Sequence, residues 1–161
     1  MEFVETDKFI FKLSNGGLIK LTKEVLVAVE AYKQVNKGDT EAGGVLLGRF
    51  IKDSKDIITD QVTVPTDGDE RKRYSFKRLS PMHQIIVDEM WFSSKSTCNY
   101  LGEWHTHPEN NPSPSHKDLR EWIRKLENRN FSSRFLYFII VGIAQINIWE
   151  GDGKNITIKK L

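Results

Sequence analysis

His105 and His107 stand two apart in the run Glu103-Trp104-His105-Thr106-His107-Pro108. The apolar lead-in marks this run as a strand, and the period of two along a strand puts both imidazoles on one face. Pro108 has no N–H to donate and stops the ladder there. A loop rich in Asn, Pro and Ser follows, and a helix is expected to begin at Ser115 with Asp118 in its first turn. A carboxylate at that position can point back at the strand end that carries the histidines. Two imidazoles and one carboxylate form a donor set for a borderline metal. Three protein ligands leave a fourth tetrahedral position for water, the pattern of a catalytic rather than a structural zinc site. Plainer roles compete. The histidines could sit half-buried on a strand, and Ser115 and Asp118 have the spacing of a capping box.

The elements that must hold these residues can be read from the chain. Phe9 to Leu13 and Leu18 to Leu21 flank Ser14-Asn15-Gly16-Gly17, which predicts a hairpin. Thr22 is an N-cap for a helix expected to reach about Asn36, with Val25, Ala28, Val29 and Tyr32 on its core face and Gly38 as its stop. Glu41-Ala42-Gly43-Gly44-Val45-Leu46-Leu47-Gly48 reads as a loop running into a strand. Its paired glycines permit close backbone approach, which a catalytic cleft tolerates. Taken alone, Glu41 is only an exposed loop acid. Ile57 to Val64 is the next strand, and residues 66–73, without an apolar side chain, are expected to be a surface loop. Ser80-Pro81 starts a helix to about Ser94, whose Met82, Ile85, Ile86, Met90 and Trp91 predict a broad buried face. His83 lies on that helix and is not needed as a ligand. After Ser115, Leu119, Trp122, Ile123 and Leu126 recur at helical spacing. Phe135 to Val141, Ile143 to Trp149 and Ile156 to Ile158 are the last strands. Helices interleave with strands, some of them joined by hairpins, so the fold class is α/β in the α+β sense, a mixed sheet flanked by helices.

Composition sets outer limits. A chain of 161 residues is the size of one domain, expected to span residues 1–161. Lys plus Arg number 24 and Asp plus Glu 22, and a net charge of +2 gives no footing for a nucleic-acid partner. The basic cluster Arg71, Lys72, Arg73, Lys77 and Arg78 is either a solvated face or a docking surface for an acidic partner. One cysteine, Cys98, cannot form an internal disulfide, which fits a reducing cytoplasm, and it reads as a small buried hydrophobe. Residues 1–7 are acidic, without the apolar core of a secretory signal. The longest apolar run, Phe135 to Ala144, is too short to cross a bilayer, so no membrane association is expected.

With these residues set out, the chain resembles the JAMM metalloproteases of the Mov34/MPN/PAD-1 group. His105-Thr106-His107-Pro108, Ser115 and Asp118 look like that family's motif, and Glu41 with Gly43, Gly44, Leu46 and Gly48 looks like its upstream glutamate segment. The resemblance implies a single MPN/JAB domain of cytidine-deaminase-like architecture. It implies one zinc ion on His105, His107 and Asp118, with Glu41 as general acid/base and Ser115 as stabiliser of the tetrahedral intermediate. Leu101-Gly102-Glu103-Trp104, Pro112-Ser113-Pro114-Ser115 and Trp122 further resemble the small stand-alone members found in bacterial anti-phage CBASS operons. That likeness implies a deconjugating isopeptidase whose partner is a protein with an extended C-terminal tail, a cyclic-nucleotide synthase joined to another protein. Two alternatives stay open. One is a protease that trims a ubiquitin-like or sulfur-carrier protein, and the other is a non-catalytic MPN scaffold.

Overall fold

The computed structural model describes residues 9–128 and 133–161, so the N-terminal stretch read above as free of a signal lies outside the described residues. In chain order the elements are β1 (Ile10–Lys12), β2 (Leu18–Leu21), α1 (Lys23–Glu30), β3 (Gly43–Phe50), β4 (Ile57–Val62), β5 (Glu70–Lys72), β6 (Ser75–Lys77), α2 (Met82–Ser93), β7 (Asn99–Thr106), α3 (His116–Asn128), β8 (Phe135–Val141), β9 (Ile146–Asp152) and β10 (Thr157–Lys160). Eight strands form one sheet in the order β1-β2-β4-β3-β7-β8-β9-β10, and β5 with β6 forms a separate hairpin. The β2/β4 and β7/β8 pairs are parallel and the other neighbours antiparallel, so the sheet is mixed as expected. No helix among the described residues is long and apolar enough to cross a membrane.

The apolar run of β8 is explained by burial on both faces. Tyr137, Ile139 and Val141 join Leu46, Trp104, Val25 and Val29 beneath α1. Leu136, Phe138 and Ile140 pack against Trp122 and Leu126 of α3, together with Trp149. Val45, Leu47 and Cys98 form a smaller cluster under α2, which confirms Cys98 as a small buried hydrophobe. Burial also pushes the Cys98 thiol above its ordinary range, the opposite of what a nucleophile needs.

One irregularity sets the phase of β7, the strand that carries His105. The register between β3 and β7 shifts between Leu46 and Leu47, where Gly102 takes a φ of +149°. A Cβ there would lie 1.7 Å from the carbonyl oxygen of Tyr137, so only glycine fits. After this bulge Trp104 packs in the α1-side core, while His105 turns to the face that carries α3, its ring 6.2 Å from that of Trp122.

Several expectations need correction. Helix α1 is capped by Thr22 as predicted, but it ends at Glu30 rather than near Asn36, and Gly38 is not its stop. Tertiary bonds compete for the following residues. Gln34 is buried and donates to the carbonyls of Arg73 and Asp39, and Arg73 Nη1 donates to the carbonyls of Asn36 and Asp39. The expected loop at 66–73 is only partly a loop, since Glu70–Lys72 pairs with Ser75–Lys77. The face of α2 is also less buried than its apolar spacing predicts. Ile86 and Met90 pack inward, but Met82, Ile85 and Trp91 are each more than 40% exposed. His83 is the buried residue of that helix. Its Nε2 lies 2.6 Å from Asp69 Oδ2 and its Nδ1 lies 2.6 Å from Thr63 Oγ1. Asp69 also accepts from the backbone N–H groups of Thr66, Leu79 and Ser80. Burial pushes this carboxyl up, but the His83 and backbone bonds outweigh it and hold it below its ordinary range. The base of the β5–β6 hairpin is thereby tied to α2 and to Thr63 just past β4.

Candidate metal and catalytic site

The bulged strand β7 ends at Thr106, whose N–H donates to the Ala42 carbonyl, and the His107 N–H donates to Val141. These bonds carry the strand geometry one residue past the ladder, so His105 and His107 still share a face. Their Nε2 atoms lie 3.1 Å apart. Asp118, in the first turn of α3, places Oδ1 3.4 Å from His105 Nε2 and Oδ2 3.2 Å from His107 Nε2. Glu41 arrives from the segment before β3 with Oε1 3.4 Å from His107 Nε2. One donor atom from each of Glu41, His105 and His107 falls within 4.8 Å of the others. The four sequence-predicted residues, drawn from three separate stretches, therefore meet at one point. They border a cleft of about 740 Å³ whose lining also includes Phe76 and Lys77 of the hairpin and Arg78 just past it.

The electrostatics of this cluster are those of donors crowded together. Burial pushes the Glu41 carboxyl up to about 7, against the pull of His105 and His107. Burial would lower His107, but the Asp118, Glu41 and Glu109 carboxylates outweigh it and favour its charged form. Burial likewise opposes ionisation of Asp118, yet the two histidines and the Ser115 N–H hold it far below the usual carboxylate range. Two imidazole nitrogens facing each other beside two carboxylates suit a shared dication. A borderline metal such as zinc takes this nitrogen and oxygen donor set, and the carboxylates offset its charge.

Ser115 occupies the plainer role that its spacing allows. Its N–H and Oγ both donate to Asp118 Oδ2, at 2.7 and 2.8 Å, and the Asp118 N–H donates back to Ser115 Oγ at 3.1 Å. This capping box fixes the Asp118 rotamer and leaves Oδ1 for His105. Trp122, buried as expected, stacks on Phe138 at 4.6 Å and backs the His105 ring. His116, the first residue of α3, is exposed and does not border the cleft.

Glu109 was not singled out by the sequence. Its Oε1 lies 2.9 Å from His107 Nδ1, the ring nitrogen that faces away from the cluster. A carboxylate in this relation fixes the tautomer and raises the basicity of a ligating histidine. The available signal was an acid two residues after a candidate ligand. Glu109→Ala is expected to weaken zinc affinity by about 10- to 100-fold, as losses of such outer partners do. Competition with a chromogenic chelator measures this directly.

The basic cluster is largely absorbed within the fold. Arg71 donates to the carbonyls of Glu41 and Thr40, Arg73 to those of Asn36 and Asp39, and Arg78 pairs with Glu103 at 2.6 Å. Lys72 and Lys77 both pair with Glu70.

A mixed sheet bearing a His-x-His strand end opposite a helical aspartate, with a glutamate beside them, agrees with the family comparison. The chain belongs to the prokaryotic JAB-domain family, matching the description "Prokaryotic homologs of the JAB domain" over residues 24–151. It is similar to a protein of Pseudomonas aeruginosa named CD-NTase/cGAS isopeptidase, at 39% identity over 143 residues, covering 88% of this chain and 89% of that one. A protein of the same name from Vibrio cholerae is 30% identical over 153 residues, covering 95% and 94% of the two chains. Among solved structures, a protein from Desulfitobacterium hafniense aligns with a TM-score of 0.60 at 20% identity over 89% of each chain. One from Salinibacter ruber aligns at 0.52 and 16% identity over 88% of each. These two likenesses show the fold alone.

Proposed function

We propose that the protein is a zinc-dependent isopeptidase, with residues 1–161 acting as one JAB/MPN domain in the cytoplasm. It hydrolyses the amide bond that joins the C-terminus of a CD-NTase to a partner protein. The observation that carries this reading is the convergence of His105, His107, Asp118 and Glu41 at 3.1–3.4 Å in a cleft. The similarity to relatives named CD-NTase/cGAS isopeptidase, covering 89% and 94% of those chains, supports this substrate class.

His105, His107 and Asp118 would hold the metal, one ion per chain. When bound, zinc supplies Lewis acidity that polarises the amide carbonyl and makes water a better nucleophile at neutral pH. Glu41 handles the proton. Its carboxyl is buried and lies 3.4 Å from His107, at the edge of the donor cluster. It can accept the proton of the attacking water and release it to the departing amine, which for an isopeptide is a lysine side chain that must leave protonated. Asp118 and the Glu109 carboxylate orient the two imidazoles. The Ser115 hydroxyl sits beside the site, and turning from Asp118 lets it donate to the developing oxyanion. Cys98, the chain's one cysteine, is buried under α2 and does not border this cleft.

A CD-NTase joined through its C-terminus to a reporter protein provides the test. Cleavage is expected to stop on chelation, return on addition of zinc, and persist in Cys98→Ala. Cleavage that survives complete zinc removal, or an acyl-enzyme trapped at Cys98, would overturn the mechanism.

A further inference from the structure

Glu41 lies two residues before the start of β3, outside the ladder that pairs β3 with its neighbours. Its backbone is held instead by the β5–β6 hairpin. The Glu41 N–H donates to the Lys72 carbonyl at 2.7 Å, and Arg71 Nε donates to the Glu41 carbonyl at 2.9 Å. Arg71 Nη2 reaches the Thr40 carbonyl at 3.3 Å. Consecutive residues of one strand thus grip both polar groups of the Glu41 main chain. The guanidinium is itself fixed over the Tyr32 ring, 5.5 Å from its centroid. Two residues on, the Phe76 ring fills the place of a side chain at Gly43, where a Cβ would lie 2.6 Å from Cδ1. On the other side Thr106 holds Ala42 through bonds of 2.9 and 3.0 Å.

From this geometry we infer that Arg71 is a positioning residue for Glu41, and that the β5–β6 hairpin sets the acid/base carboxylate within reach of the scissile amide. The inference rests on the reading of Glu41 as the proton shuttle. A side chain leaves its backbone in a direction fixed by the local dihedrals, so the peptide must be held if the carboxylate is to stay 3.4 Å from His107. Arginine suits this task, because its planar fork presents Nε and Nη donors together to two successive carbonyls, and lysine has a single ammonium. Arg71 does not border the cleft, so its loss should not alter substrate binding. The hairpin's far strand does border it, through Ser75, Phe76 and Lys77. The same small element therefore touches the space for substrate and holds the catalytic carboxylate.

The test compares Arg71→Ala, Arg71→Lys and Arg73→Ala in the zinc-loaded full chain, on the CD-NTase–reporter fusion. Arg73 is the control: it also bonds the segment before β3, but at Asn36 and Asp39 rather than at Glu41. Arg71→Ala is expected to lower kcat by about 10- to 100-fold, the scale of a catalytic group displaced by about 1 Å. KM should stay within about twofold and zinc content at one per chain, with Arg71→Lys intermediate. Hydrogen exchange at the Glu41 amide should quicken in Arg71→Ala and stay at the wild-type rate in Arg73→Ala. Millimolar guanidinium should restore part of the lost kcat to Arg71→Ala. An Arg71→Ala enzyme with wild-type kcat, or a loss that Arg73→Ala reproduces in full, would overturn the inference. If Arg71→Ala does not fold, Arg71→Lys decides the matter: wild-type kcat and Glu41 exchange in that variant count against it. Failure of the wild-type enzyme to cut the fusion would instead count against the proposed function, and the exchange measurement still tests the clamp.

Discussion

Glu41→Gln is expected to lower kcat on a CD-NTase conjugate by roughly 10²- to 10⁴-fold, the range of a lost general acid/base. The substitution is nearly isosteric and leaves the His105, His107 and Asp118 donors in place, so zinc content should remain one per chain. It should also stabilise the metal-free protein. The folded chain holds Glu41 at about 7 against an ordinary 4.5, so ionisation is harder in the folded state than in the unfolded one. The sign is therefore opposite to that of a paired carboxylate. Stability is lost as pH rises from about 4.5 to about 7, and the loss is complete above that. At about 1.4 kcal/mol per pH unit, the cost reaches about 3 kcal/mol by pH 8. Metal-free Glu41→Gln should thus melt roughly 5–10 °C above metal-free wild type at pH 8, and the gap should close near pH 5. Equal melting temperatures at pH 8 would show that the buried carboxylate carries no such cost.

His107→Ala has the second large effect. The residue is 8% exposed and bonds through both ring nitrogens, to the donor cluster on one side and to Glu109 on the other. Its loss removes one of three proposed ligands, so zinc content should fall from one per chain towards zero and cleavage to background. Thermal shift gives an independent readout. Zinc at 100 times its dissociation constant stabilises a binding-competent fold by about 2.7 kcal/mol. Wild type should show that rise and His107→Ala should show none. A full zinc complement in His107→Ala would remove this histidine from the ligand set.

The donor residues were legible because their chemistry is written in residue type and short spacing. His105 and His107 need only a strand, and Asp118 needs only a helix start. The run Phe135 to Val141 carried its own evidence of burial on two faces. What could not be read were features set by residues distant in the chain. Helix α1 stops early because Arg73 and Gln34 bind the segment after it, and nothing in residues 31–37 announces that competition. The β5 strand has no apolar side chain, since the hairpin's hold on Glu41 uses backbone carbonyls and a guanidinium. Asp69 looks like a solvated loop acid, yet its side chain is fully buried against His83, 14 residues away. The basic cluster read as a solvated face or a docking surface because charge counts do not show which cations are already paired. Gly102 was noticed within a motif, but the bulge it permits became visible only with the β3 register.

The central claim is an amide cut at the end of a folded partner by a zinc-dependent shuttle through Glu41. Intact-mass analysis of a CD-NTase–reporter fusion, treated with zinc-loaded wild type or Glu41→Gln, tests it most directly. The account predicts that wild type alone releases a CD-NTase ending at its natural last residue, with the reporter's amine free. Efficient cutting of unrelated unfolded peptides with the fusion left whole, or equal release by Glu41→Gln, would contradict it.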